Sequence, residues 1–163
     1  MQVGIVLGSR YQWNTMQHTA ELLAELGISY EARIITVNKN TNKLHDYVSK
    51  ATNRGLEIII TGSTDEAYLS DIISSKTELP VLSIKLSTSK KKKNIDNSMI
   101  DKHKGRPIST LSAGQEDAAN AALCAASMLA DKYPRIREKL INYRSQNTCG
   151  KSSRKTIDAL LKH

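Results

Sequence analysis

Short aliphatic runs alternate with stretches of helical periodicity along most of this chain, and that alternation leaves few folds open. QVGIVL, EARIITV (Glu31 to Val37), LEIII, LPVLSI and ISTLS read as five strands. They are close to continuous in apolar residues instead of alternating with polar ones, which marks strands covered on both faces. Between them, Met16, Ala20, Leu23 and Leu26 recur at helical spacing, and Gly27 supplies a stop. Leu44, Val48 and Ala51 mark a second helix that closes near Gly55, after a polar, turn-like NKNTNK. A short helix from about Ala67 to Ser75 precedes the fourth strand, and a long polar segment, Lys85 to Pro107, precedes the fifth. AGQEDAANAALCAASMLA reads as a strong helix with Glu116 and Asp117 in its first turn, where the helix dipole favours acids. Its 117–130 stretch is apolar almost all round, as in a helix buried in the domain or pressed against another subunit. Pro134 opens RIREKLINYR, and a hinge, SQNTCGKSS, leads to a last helical piece, TIDALLKH.

Strands alternating with helices predict an α/β class fold: a single-domain, doubly wound parallel sheet in three α/β/α layers, flavodoxin- or Rossmann-like. The expected division is residues 1–145 for the domain and 146–163 for the hinge and C-terminal tail helix. A chain of 163 residues is long enough to bury one real core, and with no Phe and 4% aromatics that core must be aliphatic. No apolar run approaches the ~20 residues of a membrane span, and the N-terminus lacks a signal-peptide pattern. Cys124 and Cys149 form neither a disulfide framework nor a metal site, so a reducing, cytoplasmic setting is expected, with no metal and no cofactor.

In doubly wound sheets ligands bind beyond the carboxyl ends of the strands, which directs attention to Gly8 to Asn14, Thr36 to Thr41 and Gly62 to Asp71. Gly8-Ser9 at a strand-to-helix turn reads either as a phosphate-binding turn or as a plain tight turn. The third stretch, TGSTDEAYLSD, follows a strand as an anion loop would, yet places Asp65 and Glu66 where an anion favours glycine; adjacent acids there also read as a helix cap. Trp13 reads as packing the first helix on the core, Cys124 as a packing residue, and His18 and His45 as surface or core-edge residues. The net charge of +8 is concentrated in Lys90, Lys91, Lys92 and Lys93, in DKHKGR, and in the tail. Those lysines read first as a solvated loop and second as a polyanion-binding surface, since no aromatics are interleaved to stack bases.

VGIVLGSRYQWNTM, ELLAELGISYEARI, KTELPVLSI and GRPISTLSAGQEDAANAALCAASML together resemble the class I PurE family, the carboxyaminoimidazole ribonucleotide mutases of purine biosynthesis. The resemblance runs from Val3 to about Leu140, with a lysine-rich segment shorter than the family's. It implies a homo-octamer of doubly wound subunits whose C-terminal helix packs on a neighbour, and a phosphorylated small-molecule ligand. By the same resemblance the ligand-binding positions are Gly8, Ser9, Tyr11, Gln12, Thr36, Asn38, Lys39, Gly62, Ser63, Thr64 and Asp65. The family's first loop carries a second Ser and an Asp that hold the phosphate and ribose; these are Tyr11 and Gln12 here. Its second loop, S-A-H-R-T-P, is TVNKNT, so Asn38 stands for the acid/base histidine and Lys39 for the phosphate-binding arginine. In the third loop Thr64 and Asp65 replace two glycines, and Tyr68 replaces a histidine.

The family reaction moves a carboxylate from an exocyclic nitrogen to a ring carbon: carbon dioxide leaves, an enamine attacks it, and one ring proton departs. That proton needs a base titrating near neutral pH, which histidine provides. Asn38 accepts no proton, and a Tyr68 phenol has a reference pKa near ~10. The resemblance therefore implies a PurE-like homologue lacking the usual mutase activity. Two alternatives stand beside it: an active mutase, carboxylase or related enzyme with a substitute base among Asp65, Glu66 and Tyr68, and an oligomeric binding module for polyanions or a protein partner.

Overall fold

A computed structural model describes residues 1–63, 68–86, 108–111 and 115–148, with the backbone alone at 37–41, 63, 68, 115 and 148. Five strands, β1 (Val3–Leu7), β2 (Tyr30–Ile34), β3 (Ile58–Ser63), β4 (Val81–Lys85) and β5 (Ile108–Leu111), form one parallel sheet in the order β2-β1-β3-β4-β5. The helices are α1 (Trp13–Glu25), α2 (Val37–Ser49), α3 (Tyr68–Ser74), α4 (Gln115–Leu129) and α5 (Pro134–Thr148).

Because side chains alternate along a strand, each central strand feeds two cores. Val3, Ile5 and Leu7 of β1 join Ile58, Ile60, Leu82 and Ile84 in a core closed by α1, α4 and α5. Val6, Ile59 and Val81 point the other way, into a core closed by α2 and α3 through Leu44, Val48, Leu69 and Ile73. This is the expected three-layer, doubly wound domain. The expected Gly27 stop is a Schellman end: Gly27 takes φ +73°, its N–H donates to the Ala24 carbonyl, and the Ile28 N–H reaches Leu23.

The alanine-rich helix is not apolar all round. Ala118, Ala121, Ala122, Ala125 and Ala126 are fully buried on one side, and the small side chains let α1 approach closely enough for Thr19 Oγ1 to donate to the Ala118 carbonyl at 2.7 Å. Its other side carries exposed Asn120, Ser127 and Met128, with Cys124 half-buried. Trp13 opens α1 and packs on the first core.

Three boundaries differ from the sequence expectation. The second strand ends at Ile34 instead of Val37, and NKNTNK is helical, not a turn. Thr36 caps α2 in extended geometry (φ −79°, ψ 113°), and the buried stripe of Leu44, Tyr47 and Val48 anchors the helix by packing that outweighs the weak propensity of Asn and Thr. The hinge expected from Ser145 begins inside α5, which continues to Thr148. There Ser145 and Asn147 donate side-chain hydrogen bonds back to the Asn142 and Tyr143 carbonyls instead of unwinding the turn. The tail helix lies outside the described residues. Among those described, no helix is long and apolar enough to cross a membrane.

Candidate functional site

The register brings three chain exits to one edge of the sheet. Leu7 lies opposite Ile34 on one side and Gly62 on the other, and Gly62 lies opposite Ile84. The chain leaves β1 towards β2 and then crosses back to β3, so the topological switch point falls between β1 and β3. Gly8 and Ser9 stand directly beyond β1. The segment after β2 is tied to them: the Ile35 N–H donates to the Leu7 carbonyl at 2.8 Å, and Thr36 Oγ1 donates to the Gly8 carbonyl at 3.2 Å.

Two candidate glycines have different reasons to be glycine. A Cβ at Gly62 would meet Leu86 Cδ1 at 2.7 Å and Leu7 Cδ2 at 3.4 Å, so the Leu86 side chain would have to move to admit one. Gly62 lies inside β3, buried, not in the loop that follows. A Cβ at Gly8 would meet only the Gln12 side-chain amide at 3.8 Å and Leu69 Cδ2 at 3.9 Å, ordinary contacts, and its φ is not positive. Among the described residues, a Cβ at Gly8 would find ordinary van der Waals contact and no clash.

Gln12 is the polar residue that closes the first loop. It ends a short 3₁₀ turn, Arg10–Gln12, that runs into α1, and it is only 8% exposed. Its Oε1 accepts the Gly8 N–H at 2.8 Å and, more weakly, the Ser9 N–H at 3.4 Å. Tyr11, by contrast, projects outward at 89% exposure. Sequence reading placed Gln12 here as a family position but missed this hydrogen bond; the signal available was Ser9-x-x-Gln12, the spacing of a capping box.

Asn38 and Lys39 sit in the first turn of α2, at the same edge, and Tyr68 opens α3. Ser63 ends β3, opposite Lys85. Thr64, Asp65, Glu66 and the run Lys90, Lys91, Lys92 and Lys93 lie outside the described residues. The described histidines stand away from this edge. His18 is in mid-α1, with Nδ1 3.4 Å from Glu21 Oε2, and His45 is exposed in the third turn of α2. No three of the described His, Cys, Asp and Glu residues gather as metal ligands.

Charged side chains cluster instead at the opposite, amino edge of the sheet. Lys132 Nζ donates to Glu57 Oε2 at 2.8 Å, and the Tyr133 hydroxyl donates to Glu57 Oε1. Partial burial alone would raise the Glu57 carboxyl, but these two hydrogen bonds outweigh it and hold the pKa below the usual range. Glu31 pairs with Arg54 at 3.2 Å, and the Arg54 guanidinium lies 4.5 Å over the Tyr47 ring. Burial first, and the Glu31 carboxylate second, push the Tyr47 hydroxyl far up, although Tyr47 Oη and Glu31 do not close a hydrogen bond of normal geometry. These clusters join helices to the sheet and stand a strand's length from the loops beyond Gly8.

The chain matches the family model described as AIR carboxylase over residues 2–149. It is 37% identical over 148 residues to the N5-carboxyaminoimidazole ribonucleotide mutase of Pseudomonas aeruginosa, covering 90% of each chain. To the protein of the same name from Pyrococcus horikoshii it is 38% identical over 143 residues, 86% of this chain and 79% of the relative. The crystal structure of Treponema denticola PurE superimposes with a TM-score of 0.71 at 20% identity, covering 99% of both chains, which bears on the fold alone.

Proposed function

Since the chain belongs to the AIR carboxylase family, we propose that it keeps the family's ribonucleotide pocket at the carboxyl edge of its sheet but does not catalyse the carboxylate transfer. One observation carries this: the loops after β1 and β2 are assembled against each other through Thr36 and Gly8, while the histidine position in that second segment is Asn38. A preserved pocket frame favours binding, and a missing proton acceptor disfavours turnover.

In the family reaction a ring proton must leave as the new carbon–carbon bond forms. A carboxamide cannot take it, and the family's other histidine position carries a phenol, Tyr68, in place of an imidazole. Lys39 supplies a positive charge for a phosphate without the two-pronged geometry of arginine. The ligand is therefore a phosphorylated ribonucleotide of the aminoimidazole class, held in a homo-octamer as in the family, with the phosphate near Gly8 and Ser9.

Calorimetric titration with N5-carboxyaminoimidazole ribonucleotide, run beside a mutase assay, tests both halves. Binding without conversion is expected. Conversion by the unaltered protein would overturn the loss of chemistry and point to Asp65, Glu66 or Tyr68 as the base; absence of binding would overturn the pocket. The double substitution Asn38→His with Tyr68→His should introduce measurable conversion.

A further inference from the structure

The loop amides that a phosphate would engage already have an acceptor. Gly8 N–H is held by Gln12 Oε1 at 2.8 Å, and Ser9 N–H by the same oxygen at 3.4 Å. The Gln12 side chain is more than nine-tenths buried and packs beside Gly8, 3.8 Å from where a Cβ would stand. Among the described residues, neither packing nor backbone conformation requires glycine at position 8. The turn thus combines two convergent donors with a side-chain carbonyl seated on them.

We propose that Gln12 is an internal stand-in for the ligand's phosphate: its side-chain carbonyl occupies the Gly8 and Ser9 amides in the empty protein and must leave before a phosphate monoester can bind. The proposal rests on the ribonucleotide pocket described above and adds the residue that sets its phosphate affinity. The exchange is favourable in direction, because an amide N–H bonds an anionic oxygen more strongly than a neutral carbonyl. It also carries a cost, since the internal hydrogen bond is lost first. One methylene fewer, as in an aspartate, would shorten the reach of the acceptor; glutamine at position 12 is what lets the loop satisfy itself.

The test uses full-length protein and 4-carboxy-5-aminoimidazole ribonucleotide, the stable product of the family reaction, with its nucleoside as the phosphate-free control. Gln12→Ala should bind the nucleotide roughly five- to tenfold more tightly, the worth of one internal hydrogen bond. Gln12→Glu, which keeps the acceptor and adds a negative charge, should bind it more weakly than the unaltered protein. The nucleoside, which carries no phosphate, should not show the gain that the alanine variant shows with the nucleotide. Equal nucleotide affinities, or weaker binding by the alanine variant, would overturn the proposal, as would failure of every variant to bind. Amide resonances provide the check if a variant does not fold. On nucleotide addition to the unaltered protein, the Gln12 side-chain NH₂ signals should shift together with the Gly8 and Ser9 N–H signals; a Gln12 signal that stays put while the nucleotide binds would also overturn it. Turnover of N5-carboxyaminoimidazole ribonucleotide would refute the loss of chemistry without touching this inference.

Discussion

Gly4→Ala should destabilise the domain, and Tyr47→Phe should rescue it. Gly4 lies in β1 directly beneath the last turn of α2, and a Cβ there would stand 2.5 Å from Tyr47 Oη and 3.1 Å from Leu56 Cδ1. The phenol has little freedom to retreat: Tyr47 is 9% exposed and its ring is held under the Arg54 guanidinium. Restoring ordinary contact requires about 1 Å of movement in a close-packed layer, and overpacking of that kind costs about 1–3 kcal/mol. For a domain of this size, about 2 kcal/mol lowers Tm by roughly 4–8 °C. Removing the phenol oxygen leaves Tyr47 Cζ as the nearest ring atom, at 3.7 Å, which is ordinary contact. Because that oxygen closes no hydrogen bond among the described residues, Tyr47→Phe alone should change stability by less than about 0.5 kcal/mol or raise it. The assay is urea and thermal unfolding followed by circular dichroism on the two single variants and the double, at equal protein concentration. The cycle should show a favourable coupling of most of the cost of Gly4→Ala, the remainder being the 3.1 Å contact with Leu56 Cδ1. Additive effects would refute the argument that the Cβ–Oη clash is the cause. The contact matters for the site because α2 holds Asn38 and Lys39 in its first turn, about 13 Å up the helix from Tyr47.

Gly62→Ala should cost about 1 kcal/mol in the same unfolding assay, because Leu86 must be displaced, whereas Gly8→Ala should leave stability within about 0.5 kcal/mol while weakening nucleotide binding. A larger stability loss at Gly8 would contradict the ordinary contacts found there. For Glu57, the folded pKa lies below the unfolded value of ~4.3, so its contribution is fully present above that value and is lost as pH falls through the folded pKa. Lys132 has the opposite sign: its folded pKa is raised by the Glu57 hydrogen bond, so its contribution persists below ~10.4 and is lost as pH rises further. Glu57→Gln should therefore flatten the acid limb of a Tm-against-pH curve and trim the alkaline one; an unchanged acid limb would refute the assignment.

The layers of the fold were legible because they follow from patterns a linear chain displays. Continuous aliphatic runs marked β1, β3 and β4, and Gly27 announced the end of α1. What stayed hidden were contacts between positions distant in sequence or between polar atoms. The start of α2 at Val37 was missed because Asn and Thr read as turn residues until Leu44, Tyr47 and Val48 are seen seated on the sheet. Ser145 and Asn147 likewise read as a hinge, since their helix-sustaining bonds are visible only in three dimensions. At the carboxyl edge, the resemblance names Gly8, Ser9, Gln12, Thr36 and Asn38, and the sheet register brings their segments together, but the Gln12 hydrogen bond and the different surroundings of Gly8 and Gly62 have no sequence signature of their own. A sequence does not say whether a glycine is kept for its neighbours or for a ligand.

The strand order has a consequence for how the chain reaches this state. β1 precedes both its neighbours in the chain, and its ladder partners are residues 30–34 on one side and 58–62 on the other. Its fully apolar VGIVL therefore has no lateral neighbour on the β3 side until more than a third of the chain exists. The last pairing, β4 with β5, waits for residues 108–111. Sheet assembly is dominated by closures over tens of residues, so folding should be slow for the domain's size, with the exposed central strand as the segment most prone to associate with other chains on the way.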